Sequence, residues 1–391
     1  DHAIAMVPKP SIMTYTTSLP KPSKPMLRVA VVGGGIMGGM TAASLRLKGA
    51  DVTLFDPHPM GTGPGASIDT GRSFRVHYGQ DKTLMAMALQ ARRLWEHWSQ
   101  EWGVNLLHGT SKVLVEKAGD ASAKESWKAM RRLGLPADRR GREELAHEWP
   151  GFVADMATVD RLGGVLDPSD ILARLSPWLQ KRGVRFKGAA LDVSSQWVAS
   201  AEGKEMFDVV VLTAGAWTQQ WLNVPMDVTR QELVYFDAGS LGSRLDALPV
   251  FSNMASGFYA IPTVKDGRIK VANHHPGPSG HPDGDDRQVA PEFEARARQF
   301  LSLHLPELSE APVMRRYVCF YSGTSDRDFI LDQMDDGMVL GCGFSGHGFK
   351  FAPLIGETLA NMALGRPSDI PLDRFSAHRP SLRGELSKLA V

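Results

Sequence analysis

The sequence predicts an α/β protein with two domains, one built on a parallel sheet from separate stretches of the chain and the other on a mostly antiparallel sheet with helices. Residues 29–32 and 207–212 are short apolar runs typical of buried parallel strands, and they lie far apart in the chain. Residues 224–322 alternate between apolar and polar and contain turn signals, which favours antiparallel strands. A chain of 391 residues is long enough for two such domains and a large core.

The first apolar strand leads directly into a glycine-rich turn that contains Gly33, Gly35 and Gly38. The first glycine permits a tight turn, the second lets the backbone approach a pyrophosphate, and the third lets the following helix pack against the strand. A second strand ends at Asp56, about 20 residues beyond the glycines, where the ribose-binding acid of such a unit belongs. This order predicts a Rossmann-like dinucleotide site, and it leaves open whether the dinucleotide is FAD or NAD.

The other elements follow from hydrophobic periodicity and turn signals. Periodic stretches predict helices at residues 41–48, 83–102, 123–133, 171–181, 291–303 and 352–364. Apolar or alternating stretches predict strands at residues 51–56, 106–116, 153–166, 184–186, 257–262, 268–275 and 338–342. Arg72 and Arg75 lie three residues apart with His77 and Tyr78 nearby, and their spacing alone favours an ordinary solvated helix edge over a functional site.

Composition narrows the class of function. The net charge of +1 and the pI near 8.0 give no electrostatic reason to expect nucleic acid or an anionic membrane as a partner. No apolar run of about 18 residues predicts a membrane span, and we predict no metal site. Cys319 and Cys342 are too few for a disulfide framework, which favours a reducing compartment such as the cytoplasm. Residues 1–25, rich in proline and polar residues, predict a disordered lead or an artificial extension.

The last third of the chain contains its most specific motifs, at residues 319–332 and 343–350. Shorter motifs support them: Thr70-x-Arg72-x-x-Arg75, Ala214-Gly215-Ala216-Trp217 and Arg230-Gln231. With these motifs, the sequence resembles the monomeric sarcosine oxidase family, flavoprotein amine oxidases within the D-amino-acid oxidase-like superfamily, across residues 26–380. The resemblance implies that the dinucleotide is FAD.

The two buried parallel strands are so far apart in the chain that the FAD-binding domain is predicted to be discontinuous. We assign residues 26–108, 151–223 and 325–391 to it. Residues 109–150 and 224–324 are predicted to form the substrate domain.

The resemblance also implies roles for single residues. The implied catalytic residues are Lys270, His274, Arg72 and Tyr321, and the implied substrate-binding residues are Arg75, Lys350 and Tyr259. The implied FAD-binding residues are Gly33, Gly35, Gly38, Asp56, Arg72, Ala214, Gly215, Trp217, Cys319, Gly346, Gly348 and Lys350. In the family, the pair matching Arg75 and Lys350 holds the substrate carboxylate, for which a fixed positive site is needed.

Three of these residues also have a simpler interpretation. A cysteine matching Cys319 bonds to the flavin 8α position in the family, whereas a free cysteine is usually a small buried hydrophobe, which is our interpretation of Cys342. A lysine matching Lys270 promotes the reaction with oxygen on the flavin face opposite the substrate, whereas a lysine in an alternating strand is ordinarily solvated. His274 lines the pocket in the family, but it could instead be a structural histidine, with His275 beside it.

These roles imply an FAD-dependent oxidase of a secondary amine that carries a carboxylate, such as sarcosine, another N-methyl amino acid, pipecolate or proline. In the family, a hydride equivalent leaves a carbon next to nitrogen, water hydrolyses the imine, and oxygen becomes hydrogen peroxide. Ile68 replaces a histidine of sarcosine oxidase, and residues 255–261 differ in length and aromatic content, so the substrate is open. The alternatives are a fructosyl-amino-acid oxidase or an amine dehydrogenase on the same scaffold, and a non-catalytic flavin- or NAD-binding protein.

Overall fold

The structure is a computed structural model that describes residues 26–117, 121–263 and 265–384, together with the backbone of 387–388. The predicted lead at residues 1–25 lies outside these ranges. The described residues form one large sheet that is mostly parallel and another that is mostly antiparallel, with helices packed against both. The predicted fold class is therefore confirmed.

A six-stranded sheet contains the strand that precedes the glycine turn. In spatial order its strands are Ile330–Gln333, Val339–Cys342, Val209–Leu212, Arg28–Val32, Asp51–Phe55 and Arg185–Lys187. All neighbours are parallel except the first two strands, which are antiparallel. Val29 pairs with Val209 on one side and with Val52 on the other, so the two distant apolar runs are neighbours as predicted.

Two buried helices meet beside this sheet. Helix Ile36–Leu47 begins at the glycine turn and packs against helix Ala352–Ala363. Their close approach requires glycine, because a Cβ on Gly356 would lie 2.5 Å from the carbonyl carbon of Met40. A Cβ on Gly348 would likewise lie 3.0 Å from the terminal methyl of Met37, so the two helix N-termini are adjacent.

An eight-stranded sheet forms the second large unit. In spatial order its strands are Val313–Gly323, Asp227–Asp237, Arg268–Asn273, Phe258–Pro262, Val250–Asn253, Lys112–Val115, Met156–Asp160 and Ala137–Gly141. Its neighbours are antiparallel except for Val250–Asn253 and Lys112–Val115. Strand Met156–Asp160 belongs to this sheet although it falls within residues 151–223, which were assigned to the other domain. The domain boundaries stay predictions.

Smaller elements complete the fold. The short strands are Arg72–Phe74, Leu107–His108, Gly164–Leu166, Asp192–Val193, Trp197–Ser200, Gly203–Met206, Leu222–Asn223 and Ser387–Lys388. The other α-helices are Lys82–Trp102, Ser122–Arg132, Arg142–Glu148, Pro168–Lys181, Arg244–Ala247 and Pro291–His304. The 3-10 turns are Gly215–Gln220, Gly239–Leu241, Pro306–Leu308, Phe349–Phe351 and Leu372–Phe375.

Two local predictions are wrong. Arg72 begins a short strand that pairs with Gly164–Leu166, and Arg75 follows it half-buried, so these arginines do not lie on a solvated helix edge. The single strand predicted at 106–116 is two strands, because Ser111 adopts a positive φ of 72° between them.

Candidate active site

One large cavity lies between the two large sheets and has a volume of about 1150 Å³. Its lining runs from the glycine turn to the loop that contains Lys350. All the residues to which the resemblance assigned a role line this cavity, with the exception of Gly38. The sheets therefore bring together side chains from widely separated parts of the chain.

The glycine turn forms one end of the cavity and has no room for side chains. Gly33 has a φ of 105°, and a Cβ there would lie 2.5 Å from the Thr213 carbonyl oxygen. A Cβ on Gly38 would overlap the Gly33 carbonyl oxygen, which is the close helix packing that the sequence predicted. Asp56 follows the second strand and accepts a 2.6 Å hydrogen bond from the Gly34 amide. Backbone that lines a cavity at a helix N-terminus suits a pyrophosphate, so these residues fit a dinucleotide.

The opposite wall comes from the eight-stranded sheet. Cys319 lies in strand Val313–Gly323, is 3% exposed and faces the cavity, whereas Cys342 is fully buried in the other sheet and does not line the cavity. Burial raises the pKa of the Cys342 thiol to about 12. Trp217 lies in the 3-10 turn that follows the parallel strand Val209–Leu212, and its Nε1 donates a 2.8 Å hydrogen bond to Asp283. Of the two cysteines, Cys319 is the one that can contact a bound cofactor.

A buried charge cluster centres on Asp69, which sequence reasoning missed. The Asp69 carboxylate accepts hydrogen bonds from Lys270 Nζ, Arg72 Nη1 and the Tyr235 hydroxyl. Lys270 also donates to the Gly71 carbonyl at 3.1 Å. Asp69 and Lys270 both have side chains with 0% exposure, so Lys270 is not the solvated strand residue of the simpler interpretation.

Ionisation of this cluster follows from burial and pairing. Burial disfavours the carboxylate, yet the charges of Arg72 and Lys270 lower the pKa of Asp69 to about 2. Burial lowers the pKa of Lys270 to about 8, and Asp69 limits that fall. The cluster therefore holds two cations and one anion between about pH 2 and pH 8, with Lys270 and Arg72 lining the cavity.

The end of the cavity near Lys350 is positively charged. Lys350 Nζ donates to the His347 carbonyl at 2.6 Å and lies 5.5 Å from the centre of the Tyr78 ring. Arg75 stacks on the same ring at 4.1 Å and donates to the His77 carbonyl at 2.9 Å. Burial, then Arg75, holds the pKa of Lys350 well below its usual value. An anion bound between these side chains would relieve their repulsion and complete their hydrogen bonding.

His274 and two tyrosines line the space between the positive end and Cys319. Arg327 Nη2 donates to His274 Nε2 at 3.0 Å, and the rings of His274 and Tyr321 are 6.1 Å apart. Burial, then Arg75 and other cations, lowers the pKa of His274 to about 3, so its imidazole is neutral. The Tyr321 ring packs directly on Gly346, where a Cβ would overlap it. Tyr259 lies near Lys270, whose Nζ is 5.9 Å from its ring centre.

Sequence reasoning also missed a second polar group, at Lys112, His77 and Asp160. His77 and Lys112 line the cavity, and His77 Nδ1 lies 3.0 Å from the Asp160 carboxylate. Lys112 stood within the strand predicted at residues 106–116, and Asp69 within a stretch to which no element was assigned. Neither position indicated a buried charge, because lysine and aspartate are mostly exposed. Arg327 lies inside the motif at residues 319–332, without an assigned role.

Two kinds of feature, a cluster of metal ligands and a membrane-spanning helix, are absent from the described ranges. There, no group of three or more His, Cys, Asp or Glu side chains could hold a metal ion. No helix within those same ranges is both long and apolar enough to cross a bilayer.

A Rossmann-type glycine turn that opens into a large cavity beside an antiparallel sheet defines a dinucleotide-binding oxidoreductase class. A family model described as FAD dependent oxidoreductase matches residues 28–362, so the chain belongs to that family. The predictions of an enzyme, of an oxidoreductase and of FAD as its cofactor are thereby confirmed. FAD, when bound, supplies the redox chemistry at this site.

Among curated relatives, the chain is 27% identical to the monomeric sarcosine oxidase of Bacillus sp. (strain B-0618), over 93% of this chain and 98% of that protein. It is 24% identical to the N-methyl-L-tryptophan oxidase of Yersinia pestis (strain Pestoides F), over 89% and 98% of the two chains. Similar solved structures include a modified fructosyl peptide oxidase from Aspergillus nidulans, with a TM-score of 0.80, 19% identity, and coverage of 92% of this chain and 94% of that chain. The L-proline dehydrogenase from P. horikoshii has a TM-score of 0.77 and 20% identity, with 90% and 97% coverage. The resemblance to the sarcosine oxidase family is thus confirmed.

Proposed function

We propose that this protein is an FAD-dependent oxidase of a secondary amine that carries a carboxylate, such as an N-methyl or cyclic imino acid. The observation that carries the proposal is the pair Arg75 and Lys350, both without a carboxylate partner in the described residues, at one end of the cavity that Cys319 lines. The relatives' names support the substrate class, since two are oxidases of N-methyl amino acids.

Arg75 and Lys350 would bind the substrate carboxylate and so fix which carbon of the amine faces the flavin. Orientation of this kind removes much of the entropic barrier to reaction. The carbon next to nitrogen would give up a hydride equivalent, which carries both electrons, to the FAD that the site would hold, and the nitrogen would lose a proton, which leaves an imine for water to hydrolyse. The acceptor oxygen would then leave as hydrogen peroxide after taking up two electrons and two protons.

The amine must react as its free base, because an ammonium nitrogen has no lone pair to support imine formation. The surrounding cations favour that form, since Arg75, Lys350 and Arg327 all lower the pKa of a basic group bound beside them. His274 is neutral and adds no further charge. His274 and Tyr321 would therefore contact the amine and its substituent without serving as an obligatory acid or base.

Cys319 would hold FAD covalently through its sulfur, as the resemblance implies. The position of Cys319 supports this bond, because Cys319 lines the cavity and Cys342 does not. No disulfide joins Cys319 and Cys342, and we propose a reducing compartment, the cytoplasm, from the small number of cysteines.

Lys270 would assist the reaction with oxygen. The first electron transferred to neutral oxygen creates a negative charge, and a buried cation already in position stabilises it. Lys270 is fully buried and lines the cavity near Tyr259. The fructosyl peptide oxidase and the proline dehydrogenase share the fold, so a larger glycated substrate or another electron acceptor is the second candidate.

Anaerobic mixing of the holoprotein with a panel of amines tests this proposal. We expect flavin absorbance to bleach with one or more of sarcosine, other N-methyl amino acids, pipecolate and proline, and air to restore it with formation of hydrogen peroxide. Bleaching by fructosyl amino acids alone would select the second candidate. Bleaching by none of the panel would leave a flavin-binding protein without this activity and would refute the proposal.

A further inference from the structure

Lys112 is a buried lysine whose side-chain nitrogen has no hydrogen-bond or ion-pair partner among the described residues. Its residue is 4% exposed and it lines the cavity, yet no hydrogen bond or ion pair joins its ammonium to any residue in the described ranges. Burying an ammonium in this way is costly unless another charge or polar group compensates it. The lysine therefore points to a ligand group that the protein itself does not supply.

Asp160, which lies opposite Lys112 on the neighbouring strand, is already engaged elsewhere. One of its oxygens accepts hydrogen bonds from the Val76 and His77 amides at 2.7 and 3.1 Å, and lies 3.0 Å from His77 Nδ1. The other oxygen accepts from the Leu162 amide at 3.0 Å. Asp160 thus anchors the backbone and orients the His77 ring, whose Nε2 has no partner.

Arg75 repels Lys112 more strongly than Asp160 attracts it. Burial, then Arg75, holds the pKa of Lys112 well below its usual value, and Asp160 only partly opposes them. Arg75, Lys350 and Lys112 share one end of the cavity, none of them forms an ion pair with a described carboxylate, and a bound anion would favour the charged form of both lysines. One substrate carboxylate and the electron-rich edge of bound flavin would compensate two of these three basic groups, and Lys112 would remain.

We propose that Lys112 binds a second anionic group of the substrate, so that the preferred substrates are secondary amines with two acidic groups. This inference rests on the proposed amine-oxidation site and narrows its substrate class. Charge is the basis of the selection: an ammonium donates hydrogen bonds to a carboxylate and gains its counter-ion, whereas an amide of the same shape supplies no charge. His77, held neutral with a pKa of about 4, does not share that task.

Binding of non-reacting ligands to the holoprotein tests the inference without turnover. Isothermal titration compares malonate, succinate and glutarate with their monoamides, which keep one carboxylate and the same length. We expect at least one dicarboxylate to bind ten times or more as tightly as its monoamide, and Lys112→Met to reduce that preference to less than threefold. Lys112→Gln, which keeps a polar side chain, should reduce it as well and covers the case in which methionine prevents folding.

The matched control is Lys265→Met, because Lys265 is a half-exposed lysine that pairs with Asp167 and Asp170 and does not line the cavity. This control should keep the preference for the dicarboxylate. Equal binding of acid and monoamide at every length, or a preference that persists in both Lys112 variants, would overturn the inference. A preference for the monoamide would show that the group near Lys112 binds a neutral polar substituent, which also contradicts it.

Turnover then separates this inference from the proposed function. N-methylaspartate and N-methylglutamate are compared with N-methylalanine for the concentration that half-saturates anaerobic bleaching. We expect the diacids to saturate at concentrations at least tenfold lower, and Lys112→Met to raise that concentration more than it lowers the limiting rate. If dicarboxylates bind through Lys112 but no secondary amine bleaches the flavin, the proposed function fails while the second anionic site stands.

Discussion

Replacing Lys270 by methionine separates the two halves of the proposed reaction. Methionine has nearly the length of lysine and removes the charge together with the hydrogen bonds to Asp69 and to the Gly71 carbonyl, while Asp69 keeps its hydrogen bonds to Arg72 and Tyr235. Lys270 has 0% exposure, so water does not screen its charge in the native protein. The substitution should therefore act through electrostatics more than through packing.

The size of the effect follows from the surroundings of Lys270. A cation about 4 Å from a developing anion is worth roughly 4 kcal/mol at an effective dielectric constant near 20. Asp69 lies against the ammonium and offsets part of this field. We therefore expect roughly 1.5 to 3 kcal/mol, which slows the reaction with oxygen about tenfold to a hundredfold.

Stopped-flow spectroscopy measures the two half-reactions separately. Flavin reduced anaerobically is mixed with oxygenated buffer for one half, and oxidised protein is mixed with amine without oxygen for the other. Lys270→Met should slow the first severely and the second much less, whereas the exposed control Lys265→Met should change neither. Equal losses in both halves, or no loss in the oxygen reaction, would refute the assignment of Lys270.

The remaining predictions concern the cofactor, the carboxylate and pH. Acid precipitation should leave yellow flavin with the native polypeptide and with Cys342→Ser, and release it from Cys319→Ser; a colourless native pellet would exclude the covalent bond. Arg75→Ala should weaken a simple carboxylate inhibitor about tenfold to a hundredfold by isothermal titration, because one charged hydrogen-bonding partner is worth roughly 1.5 to 3 kcal/mol; unchanged affinity would show that the carboxylate binds elsewhere. Because burial lowers the pKa of Lys270 to about 8, its cation is present below that pH and lost above it, so the oxygen reaction should slow as pH rises through about 8. That inflection should be missing in Lys270→Met, and an unchanged profile would assign it to another group.

The elements predicted well were those whose signals are local. Gly33 and Asp56 belong to a unit whose order of strand, turn, helix and strand is predicted by the local sequence pattern. The structure has the same order. Strand Ala137–Gly141 was missed because Asp, two Arg and Gly at the edge of a sheet have low strand propensity. Helix Pro168–Lys181 begins three residues before the predicted range of 171–181, because proline is favoured in the first turn of a helix.

The buried charges of the site could not be predicted from local pattern. Asp69 and Lys270 are 201 residues apart, and only the packing of a loop over a sheet brings them together. Lys112 begins a buried strand, and the sequence does not distinguish it from the other residues of that strand. Only the structure shows that Lys112 lacks a described partner, because it places Asp160 and Arg75 around it. The roles given to Lys270, His274 and Cys319 depended on resemblance to a family, because nothing in their spacing distinguishes them from ordinary residues.

In the proposed reaction, the cavity oxidises a secondary amine that it holds by its carboxylate. The most direct measurement compares anaerobic bleaching of the flavin by the fastest secondary amino acid of the panel with bleaching by the methyl ester of that compound. The ester has the lower amine pKa and hence more reactive free base, so a slower reaction would reflect the lost carboxylate alone. We predict that the acid bleaches the flavin and that the ester needs at least a tenfold higher concentration for the same rate. Equal concentrations for acid and ester, or bleaching only by amines without a carboxylate, would contradict the account.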